Sequence, residues 1–382
     1  MVKKETKINE AGRKPFEHAG AVNTPVYRAS TILFPDSETL RTGNQPYLYG
    51  RRATPTTRAL EEAICELEGG AKTVLTPSGL SACTLAILCA ANAGDQILVT
   101  DSIYGPTRQF CDRVAKRCDI DTKYYPASAS PEEIAALFQP NTAAIFLESP
   151  GSITFEVQDV PAIAKAAHDN DISVILDNTW ATPLYFDAIA HEVDYSVQAA
   201  TKYFGGHADA NGGSVTVSAK NQKQLVDTHG DIGLCLSPDD SFMILRGLRT
   251  LAVRMARQQE SAVKIARWLQ TCPEIARVLY PALESDPGYD LWRRDFTGAP
   301  GLFSVIFQSE FTAENVAAFV DGLKHFGIGY SWGGYESLVL PAHFRRSFPG
   351  PKNEGKIVRF HIGLEDAEDL MADISVGLMR LY

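Results

Sequence analysis

The sequence predicts an α/β fold, with a large domain built on a mostly parallel sheet and a smaller C-terminal α+β domain. From about Leu60 to residue 217, short apolar runs alternate with stretches in which apolar residues recur every three or four positions. Such alternation is typical of strands connected by helices. A long helical pattern over about 241–270 then separates this part from a mixed C-terminal part. A length of 382 residues with 45% hydrophobic content suits two or three domains.

The predicted strands of the large sheet are short apolar runs, as buried parallel strands usually are. They lie at 73–76, 96–100, 122–125, 143–147, 173–176, 195–198 and 214–217. The helices between them are predicted from apolar residues at helical spacing. They lie at 80–91, 107–117, 132–137 and 161–170.

The C-terminal part mixes strand and helix patterns in fewer elements. Its predicted strands are 302–307 and 356–362, and its predicted helices are 312–325 and 367–381. This mixture indicates an α+β domain.

Before Leu60 the chain is rich in Pro, Thr and Arg and shows little periodicity. Such a segment is either a disordered arm or one that packs on another subunit. The sequence therefore predicts three parts: an N-terminal arm over 1–57, a large α/β domain over 58–248 and a C-terminal domain over 249–382.

The charge balance favours a small-molecule partner. The 36 Lys and Arg residues against 46 Asp and Glu give a net charge of -10, which opposes attraction to nucleic acid or to anionic membranes. The start of the chain has no apolar segment typical of a secretory signal, and no run approaches the roughly 18 apolar residues of a membrane span. We therefore expect a soluble, cytoplasmic protein.

The seven cysteines are an odd number and are scattered without a CxxC pair. This pattern predicts reduced thiols, many of them in the core, and argues against a disulfide framework or a metal site.

A lysine stands directly after an apolar strand and before a glycine pair, in the sequence Gln198-Ala-Ala-Thr-Lys202-Tyr-Phe-Gly-Gly-His207. The strand would deliver Lys202 to an edge of the sheet, into an apolar cleft. Loss of hydration disfavours the ammonium form there, and the free amine can condense with an aldehyde. A single lysine in this position is more often an exposed loop residue, so the interpretation depends on its surroundings.

Two further features lie at the ends of predicted strands. Asp177 follows Val174-Ile-Leu at the carboxyl end of a strand, where ligands bind in open α/β sheets. Its carboxylate could keep a pyridine nitrogen protonated, although a turn or helix-capping aspartate is the alternative. The segment Thr76-Pro-Ser78-Gly79-Leu80-Ser81 opens a helix, whose first N–H groups favour phosphate.

An aromatic residue and an arginine complete the set. Tyr104, in Asp101-Ser-Ile-Tyr104, could stack on a planar ring or could be a turn aromatic. Arg359 stands among apolar neighbours in a predicted strand, where an unpaired guanidinium would be costly. Its partner would be a substrate carboxylate, held in bidentate geometry, or a structural Asp or Glu.

Together and in this order, these pieces resemble the Cys/Met-metabolism family of pyridoxal-phosphate enzymes, and the resemblance covers nearly the whole chain. The stretch 194–207 is similar to the family's lysine signature. The resemblance implies the type I, aspartate-aminotransferase-like fold, with pyridoxal 5'-phosphate as the cofactor and Lys202 as the residue that binds it.

The resemblance also implies roles for other residues. Tyr49 and Arg51, in Tyr47-Leu-Tyr49-Gly-Arg51, match the family's Tyr-x-Arg element, which reaches the phosphate of a neighbouring subunit. A homodimer at minimum, and a homotetramer by analogy, is therefore expected. The implied cofactor-binding residues are Lys202, Asp177, Tyr104, Gly79, Leu80, Thr201, Tyr49 and Arg51. The implied catalytic residues are Lys202, Tyr104 and Tyr49, and the implied substrate-binding residues are Arg359, Ser331, Trp332, Tyr49 and Tyr104.

Within the family, the segment Tyr330-Ser331-Trp332 resembles bacterial cystathionine β-lyases, whereas members that act at the γ-carbon carry a small or aliphatic residue where Trp332 stands. The resemblance implies a carbon–sulfur lyase of methionine biosynthesis and transsulfuration. Its substrate would be L-cystathionine, an amino-acid thioether, and its products homocysteine, pyruvate and ammonia. Activity on cystine and other cysteine S-conjugates is a further expectation, and Trp332 could equally be wall packing.

Two positions depart from the family pattern. Many relatives have a serine where this chain has Ala199, so one hydroxyl that could bind the phosphate is missing here. Many also have asparagine at Ser152, near the ring oxygen of the cofactor.

Two other interpretations remain open. A γ-lyase, γ-synthase or amino-acid racemase of the same family would use the same removal of the Cα proton. A non-catalytic regulator built on this fold is an interpretation of another class, and the presence of Lys202, Asp177 and Arg359 argues against it.

Overall fold

A computed structural model describes residues 2–350 and 355–382. Its helices are α1 (Lys4–Glu10), α2 (Ser37–Thr42), α3 (Pro55–Glu68), α4 (Gly79–Ala90), α5 (Gly105–Phe110), α6 (Pro131–Ala135), α7 (Val160–His168), α8 (Thr182–Tyr185), α9 (Gln222–Ile232), α10 (Pro238–Leu248), α11 (Leu251–Leu269), α12 (Tyr289–Asp295), α13 (Ala313–Asp321) and α14 (Ala367–Leu378). Its strands are β1 (Lys72–Thr76), β2 (Gln96–Thr100), β3 (Asp121–Tyr125), β4 (Thr142–Glu148), β5 (Ser173–Asp177), β6 (Tyr195–Gln198), β7 (Gly213–Val217), β8 (Ile275–Leu279), β9 (Leu302–Phe307), β10 (Gly327–Ile328), β11 (Leu338–Pro341) and β12 (Ile357–His361).

The large sheet has seven strands in the order β1-β7-β6-β5-β4-β2-β3. All neighbours pair in parallel except β7, which is antiparallel to both β1 and β6. The predicted mostly parallel sheet is therefore confirmed. Because β2, β4, β5 and β6 run in the same direction, the residues at their carboxyl ends meet along one edge of the sheet.

The second sheet has five strands in the order β10-β11-β12-β9-β8. Its pairs are antiparallel except for the short β10–β11 pair. This sheet and the helices α11, α13 and α14 form the smaller α+β domain that the sequence predicts. An apolar core of Phe303, Phe307 and Phe360 lies on this sheet and continues into the large domain.

The long helical pattern predicted over 241–270 is two helices and not one. Helix α10 ends at Leu248 and α11 begins at Leu251. At the break, the guanidinium of Arg249 donates to the carbonyl oxygens of Ile8 and Ala11, so the turn also fixes the N-terminal segment. The proposed domain boundary at 248/249 coincides with this break, whereas the one at 57/58 lies inside α3.

The N-terminal segment is only partly irregular. Helix α1 packs on α3 and α11, with Ile8 buried in the core that contains Tyr203 and Phe204. Helix α3 begins at a capping box, in which Thr54 and Thr57 bond to each other's backbone N–H groups. Among the described residues, no helix has the length and apolar character needed to cross a membrane.

Candidate active site

Lys202 lies in the turn that follows β6, in a largely buried position. Its Nζ donates to Ser331 Oγ at 2.6 Å and lies 5.0 Å from the centre of the Trp332 ring. Burial lowers the pKa of Lys202 from its usual 10.5 to about 7; the nearby Arg359 adds to this lowering and Asp177 opposes it. A substantial fraction of this amine is therefore neutral at physiological pH, as condensation with an aldehyde requires.

Asp177 lies at the end of β5, on the same edge of the sheet. Its Oδ1 accepts hydrogen bonds from the Thr179 backbone N–H at 3.0 Å and from the Thr179 hydroxyl at 2.5 Å. Its Oδ2 receives only a long contact of 3.7 Å from the Cys83 thiol. Burial raises the pKa of this carboxyl group, and the hydrogen bonds from Thr179 oppose that change. One carboxylate oxygen is thus firmly held and the other is available to a donor.

Thr179 also joins the aspartate to the lysine. Its hydroxyl accepts a hydrogen bond of 2.8 Å from the backbone N–H of Ala199, three residues before Lys202. The positions of Asp177 and Lys202 are therefore coupled through one side chain.

The start of α4 lies beside the turn that carries Ala199. Ser78 caps the helix and forms a capping box with Ser81. A Cβ on Gly79 would lie 2.4 Å from the Ala199 Cβ, so only glycine fits between the helix and the turn. The N–H groups of Gly79 and Leu80 are in the first helical turn, where no acceptor exists within the helix.

Thr201 makes its hydrogen bonds to a single residue. Its hydroxyl accepts from the Gly212 N–H at 2.9 Å and lies 3.1 Å from the Gly212 carbonyl oxygen, which also receives the Thr201 N–H. The Gly212 carbonyl oxygen keeps the hydrogen bond from the Thr201 N–H even when the Thr201 hydroxyl proton turns away. The hydroxyl can therefore donate to a ligand without leaving that carbonyl unpaired.

Tyr104 stands between β2 and α5 with its side chain half exposed. Its backbone N–H donates to Glu148 Oε2 at 2.7 Å. Burial raises the pKa of the phenol, and the nearby Cys83, Asp177 and Glu148 add to the increase. Because Glu148 is the register partner of Asp177, this backbone contact places Tyr104 at the same edge of the sheet as Asp177.

The C-terminal domain contributes Ser331, Trp332 and Arg359. Arg359 lies in β12 with 8% of its surface exposed, and its Nη2 donates to the Ser331 carbonyl oxygen at 2.8 Å. Burial lowers the pKa of Arg359 to about 10. Ser331 has a φ of +75°, a strained value for a residue with a side chain. This backbone geometry lets Ser331 contact Lys202 with its hydroxyl and Arg359 with its carbonyl.

Tyr49 and Arg51 lie elsewhere in the chain. The Arg51 guanidinium donates to the Gly230 carbonyl oxygen at 2.9 Å and lies 5.9 Å from the centre of the Tyr49 ring. In the described residues, no hydrogen bond or ring contact joins either of them to Lys202. Their expected role at a neighbouring subunit stays a prediction.

The whole chain matches a known family. Residues 5–379 match the model of the family described as Cys/Met metabolism PLP-dependent enzyme. The chain belongs to this family. Pyridoxal phosphate (PLP) is therefore its cofactor.

Relatives of this chain are named for different activities. A cystathionine β-lyase of Escherichia coli is 40% identical over 99% of each chain. An L-alanine/L-glutamate racemase of Wolbachia pipientis is 38% identical over 100% of this chain and 98% of its own. The crystal structure of a Lactobacillus plantarum cystathionine γ-lyase in complex with L-serine is similar with a TM-score of 0.92 and 29% identity, over 100% of this chain and 99% of that chain. The type I fold is thus confirmed.

The residues present fit the cofactor of the family. A buried amine with a pKa near 7 suits the aldehyde, and Asp177 Oδ2, which receives only the long contact from Cys83, suits a ring nitrogen. The space that a Cβ on Gly79 would fill lies at the start of a helix, where N–H groups bind phosphate.

Sequence reasoning missed three residues that hold the site together: Glu148, Thr179 and Cys83. Glu148 ends β4 as Asp177 ends β5, and the two are paired in register, so the same argument from strand ends could have found it. The spacing of Asp177 and Thr179 is typical of a turn in which the aspartate accepts from the residue two positions on. Cys83 looks like an ordinary core residue of α4, and nothing in its local sequence separates it from Cys89.

Proposed function

We propose that this protein is a PLP-dependent carbon–sulfur lyase that cleaves L-cystathionine at the β-carbon. The overall reaction converts L-cystathionine and water to L-homocysteine, pyruvate and ammonia. The observation that carries the proposal is the contact of Lys202 and Arg359 with the same residue, Ser331, directly beside Trp332. In this arrangement Lys202 would serve as the proton acceptor, Arg359 as the carboxylate-binding group and Trp332 as an aromatic wall.

Six of this chain's own residues, with Tyr49 and Arg51 of a neighbouring subunit, would hold the cofactor. Lys202 would bind its aldehyde carbon, and Asp177 would accept a hydrogen bond from its ring nitrogen. Tyr104 would stack on the ring. The phosphate would be held by Gly79, Leu80, Thr201, and Tyr49 and Arg51 of a neighbouring subunit. When bound, pyridoxal phosphate delocalises the negative charge that forms on the substrate Cα.

The remaining chemistry is carried by side chains. Arg359 would bind the α-carboxylate in bidentate geometry, which orients the Cα–H bond. The free amine of Lys202 would take the Cα proton and return a proton to the sulfur as the Cβ–S bond breaks. Tyr104, and Tyr49 of a neighbouring subunit, would assist these transfers.

Burial supports these assignments. Arg359 is buried and Lys202 is partly buried, so their hydrogen bonds and charges act more strongly than at the surface. Ser331 Oγ accepts from the Lys202 amine and would hold it near the substrate Cα after its release. Trp332, packed on Tyr203, would restrict the pose of the substrate.

Cleavage at the β-carbon, and not at the γ-carbon, is favoured by the similarity to the relatives and by Trp332. The E. coli relative that is named a cystathionine β-lyase is 40% identical, whereas the L. plantarum γ-lyase is 29% identical. The resemblance of the segment around Trp332 to the β-lyases points the same way.

Product analysis tests the proposal. Purified holoenzyme incubated with L-cystathionine should yield pyruvate and homocysteine in equal amounts. Formation of 2-oxobutyrate and cysteine would instead assign γ-cleavage. A Lys202→Ala protein is the control, and we expect it to lose nearly all turnover and the visible absorbance of the lysine-bound cofactor.

Racemisation is a second candidate because the Wolbachia racemase is 38% identical over the full chain. It begins with the same removal of the Cα proton and ends with its return to the opposite face of Cα. Chiral chromatography of L-alanine and L-glutamate incubated with the holoenzyme distinguishes the two activities. A turnover of L-alanine faster than that of L-cystathionine would make racemisation the main function.

A further inference from the structure

A buried ion pair brackets Tyr104. Asp101 and Arg108 stand three positions before and four positions after it, and each side chain is 4% exposed. Arg108 Nη2 donates to Asp101 Oδ1 at 2.5 Å and to the Asp101 carbonyl oxygen at 3.2 Å. The pair thus closes the loop that presents Tyr104.

The same pair is attached to the C-terminal domain. The backbone N–H of Ser347 donates to Asp101 Oδ1 at 2.8 Å, and that of Phe348 donates to Asp101 Oδ2 at 3.2 Å. Arg108 Nη1 also donates to the Ser347 hydroxyl at 3.1 Å. A single buried carboxylate therefore holds together one guanidinium and two backbone groups from a distant part of the sequence.

A second attachment is made by the preceding residue. The Arg346 side chain is 6% exposed and pairs with Glu156 at 3.4 Å. It also donates to the Thr154 hydroxyl and, at 3.4 Å, to the Ser152 carbonyl oxygen. The Ser152 N–H donates to the Ser102 carbonyl oxygen, within the loop that Asp101 begins. We call residues 346–348 the strap.

The strap is connected to the strand that pairs with the strand of Arg359. It follows β11, in which Leu340 is the register partner of Arg359 on β12. The Ala342 N–H, just beyond β11, donates to the Ile357 carbonyl oxygen at 2.8 Å. The β11–β12 pairing and the chain over 342–346 thus link Arg359 to the strap, and the strap is hydrogen-bonded to Asp101, three residues before Tyr104.

We propose that Asp101 is a positioning residue for Tyr104, and that the strap bound to Asp101 sets the spacing between Tyr104 and Arg359. This inference deepens the proposed function and rests on the role given there to both residues. A substrate held by its carboxylate on Arg359 must reach the ring face next to Tyr104, so this spacing determines how well the Cα–H bond is aligned.

The test is Asp101→Asn. Asparagine keeps the shape of the side chain, but its NH2 group opposes either the Arg108 guanidinium or the Phe348 N–H, so the loop and the strap lose a common acceptor. We expect the induced circular dichroism of the bound cofactor, measured without substrate, to fall to about half, because it reports the asymmetric packing of the ring. We expect kcat/KM for L-cystathionine to fall about tenfold, mainly through kcat.

A matched control lies on the neighbouring residue. Arg345 is 80% exposed and pairs at the surface with Asp112 at 3.3 Å. An Arg345→Ala protein should keep both the circular dichroism and the kinetics of the parent enzyme. An Asp101→Asn protein with a lower melting temperature but with both readouts equal to those of Arg345→Ala would overturn the proposal, because Asp101 would then act on stability alone.

A second variant keeps the proposal testable if Asp101→Asn does not fold. Arg346→Met removes the second attachment and leaves the pair of Asp101 and Arg108 intact. We then expect a loss of about threefold or more in kcat/KM together with a lower circular dichroism. Values equal to those of Arg345→Ala would overturn the proposal.

The two proposals can fail separately. If the parent holoenzyme does not cleave L-cystathionine but Asp101→Asn still lowers the circular dichroism, the proposed function is wrong and the positioning role stands. If cleavage occurs, and neither the circular dichroism nor kcat/KM changes in Asp101→Asn, the positioning role alone is wrong.

Discussion

The charge of a buried amine depends on which neighbours share its site. For Lys202, burial and the cationic Arg359 favour the neutral form, and Asp177 favours the ammonium form. Burial dominates, so the pKa falls to about 7. A lysine at this position in a solvated loop would keep a pKa near 10.4 and would be almost entirely protonated at neutral pH. Burial therefore makes Lys202 suitable both for binding an aldehyde and for accepting a proton.

A first prediction concerns the stability of the apoenzyme. The pKa of Lys202 in the folded chain is about 7, below the 10.5 of the unfolded chain. The unfolded chain therefore binds more protons between these pH values, and Lys202 destabilises the fold most below pH 7. This destabilisation of the folded state disappears as the pH rises through 10.5. We expect Lys202→Met to stabilise the apoenzyme at pH 6.5 by at most about 5 kcal/mol, and by progressively less up to pH 10.

Urea denaturation of both apoenzymes at several pH values and one protein concentration measures this difference. A stability difference that does not change with pH would contradict the low pKa of Lys202.

A second prediction concerns Arg359. Lysine at this position has no planar fork for a carboxylate and cannot at the same time reach the Ser331 carbonyl oxygen. For Arg359→Lys we expect KM for L-cystathionine to rise about 30-fold, which corresponds to about 2 kcal/mol of lost binding, with a smaller change in kcat.

Arg254 offers the matched control. It is also buried, and its Nη2 donates to the carbonyl oxygens of Tyr203 and Gly247. Arg254→Lys should lower the melting temperature and leave KM unchanged. A similar KM increase in both variants would mean that the effect of Arg359 is structural.

At the scale of single residues, the sequence predicted the site residues near the ends of the strands. It did not predict the contacts that hold those residues in position. Lys202, Asp177 and Tyr104 directly follow or end apolar strands, so their position at one edge follows from the direction of the strands. The contacts that hold them, such as that of Glu148 with the Tyr104 N–H, depend on backbone turns that local sequence does not specify. Ser331 was named from the family resemblance as a substrate-binding residue, but its φ of +75°, which lets it contact both Lys202 and Arg359, has no local signal.

At the scale of secondary structure, the start of α4 is fitted to the turn before Lys202. Gly79 does not have a positive φ, so its requirement is one of space and not of backbone conformation. The Ala199 methyl group occupies the space that any side chain at position 79 would need. The helix N-terminus can therefore approach the turn closely, and the proposed phosphate site depends on that approach.

A third prediction follows for this pair. Gly79→Ala should weaken cofactor binding about tenfold or more and lower the melting temperature, because the new Cβ would lie 2.4 Å from the Ala199 Cβ and 2.9 Å from its Cα. Adding Ala199→Gly removes the closer contact and should restore part of both losses. Cofactor binding is measured by titrating the apoenzyme and following its absorbance. A double variant no better than Gly79→Ala would show that the clash is with the backbone.

The elements that the sequence did not predict are short or atypical. Strand β10 has two residues and both are exposed, and β8 includes Arg277 in a pattern without alternation. Strand β7 was predicted, but its antiparallel direction was not; the connection from β6 over 199–212, which contains Lys202, has no crossover helix. Helices α1 and α2 were missed because their apolar residues are few and they have only seven and six residues. Helix α3 has apolar residues at helical spacing, including Leu60, Ile64 and Leu67, and lies where the predicted alternation begins.

At the scale of the whole molecule, the site is shared between two domains and is expected to be shared between two subunits. Lys202, Asp177 and Tyr104 come from the large domain, and Ser331 and Arg359 come from the smaller one. The N-terminal arm exposes large apolar side chains, with Phe16 95% and Leu33 84% exposed. Apolar exposure on one segment is typical of a surface that another chain covers. The homodimer and the homotetramer stay predictions.

A fourth prediction tests whether subunits share the site. If Arg51 acts on the neighbouring subunit, Arg51→Ala and Lys202→Ala proteins should each have little activity alone. A mixed dimer would then contain one site with an intact Lys202 from one chain and an intact Arg51 from the other, and a second site that lacks both. Random exchange of equal amounts makes about half of all dimers mixed, so we expect about a quarter of the parent activity.

The experiment requires subunit exchange, by mild denaturation and refolding of the mixture with added cofactor. Two controls are each variant refolded alone and a mixture of Lys202→Ala with the parent enzyme. Within one subunit, Arg51 contacts the Gly230 carbonyl oxygen and nothing in the described chain brings it to Lys202. If Arg51 nevertheless serves its own subunit, every mixed dimer has two defective sites, and the mixture stays as inactive as the variants. Recovery of activity therefore depends on the geometry of the dimer, and its absence would assign Arg51 to its own chain.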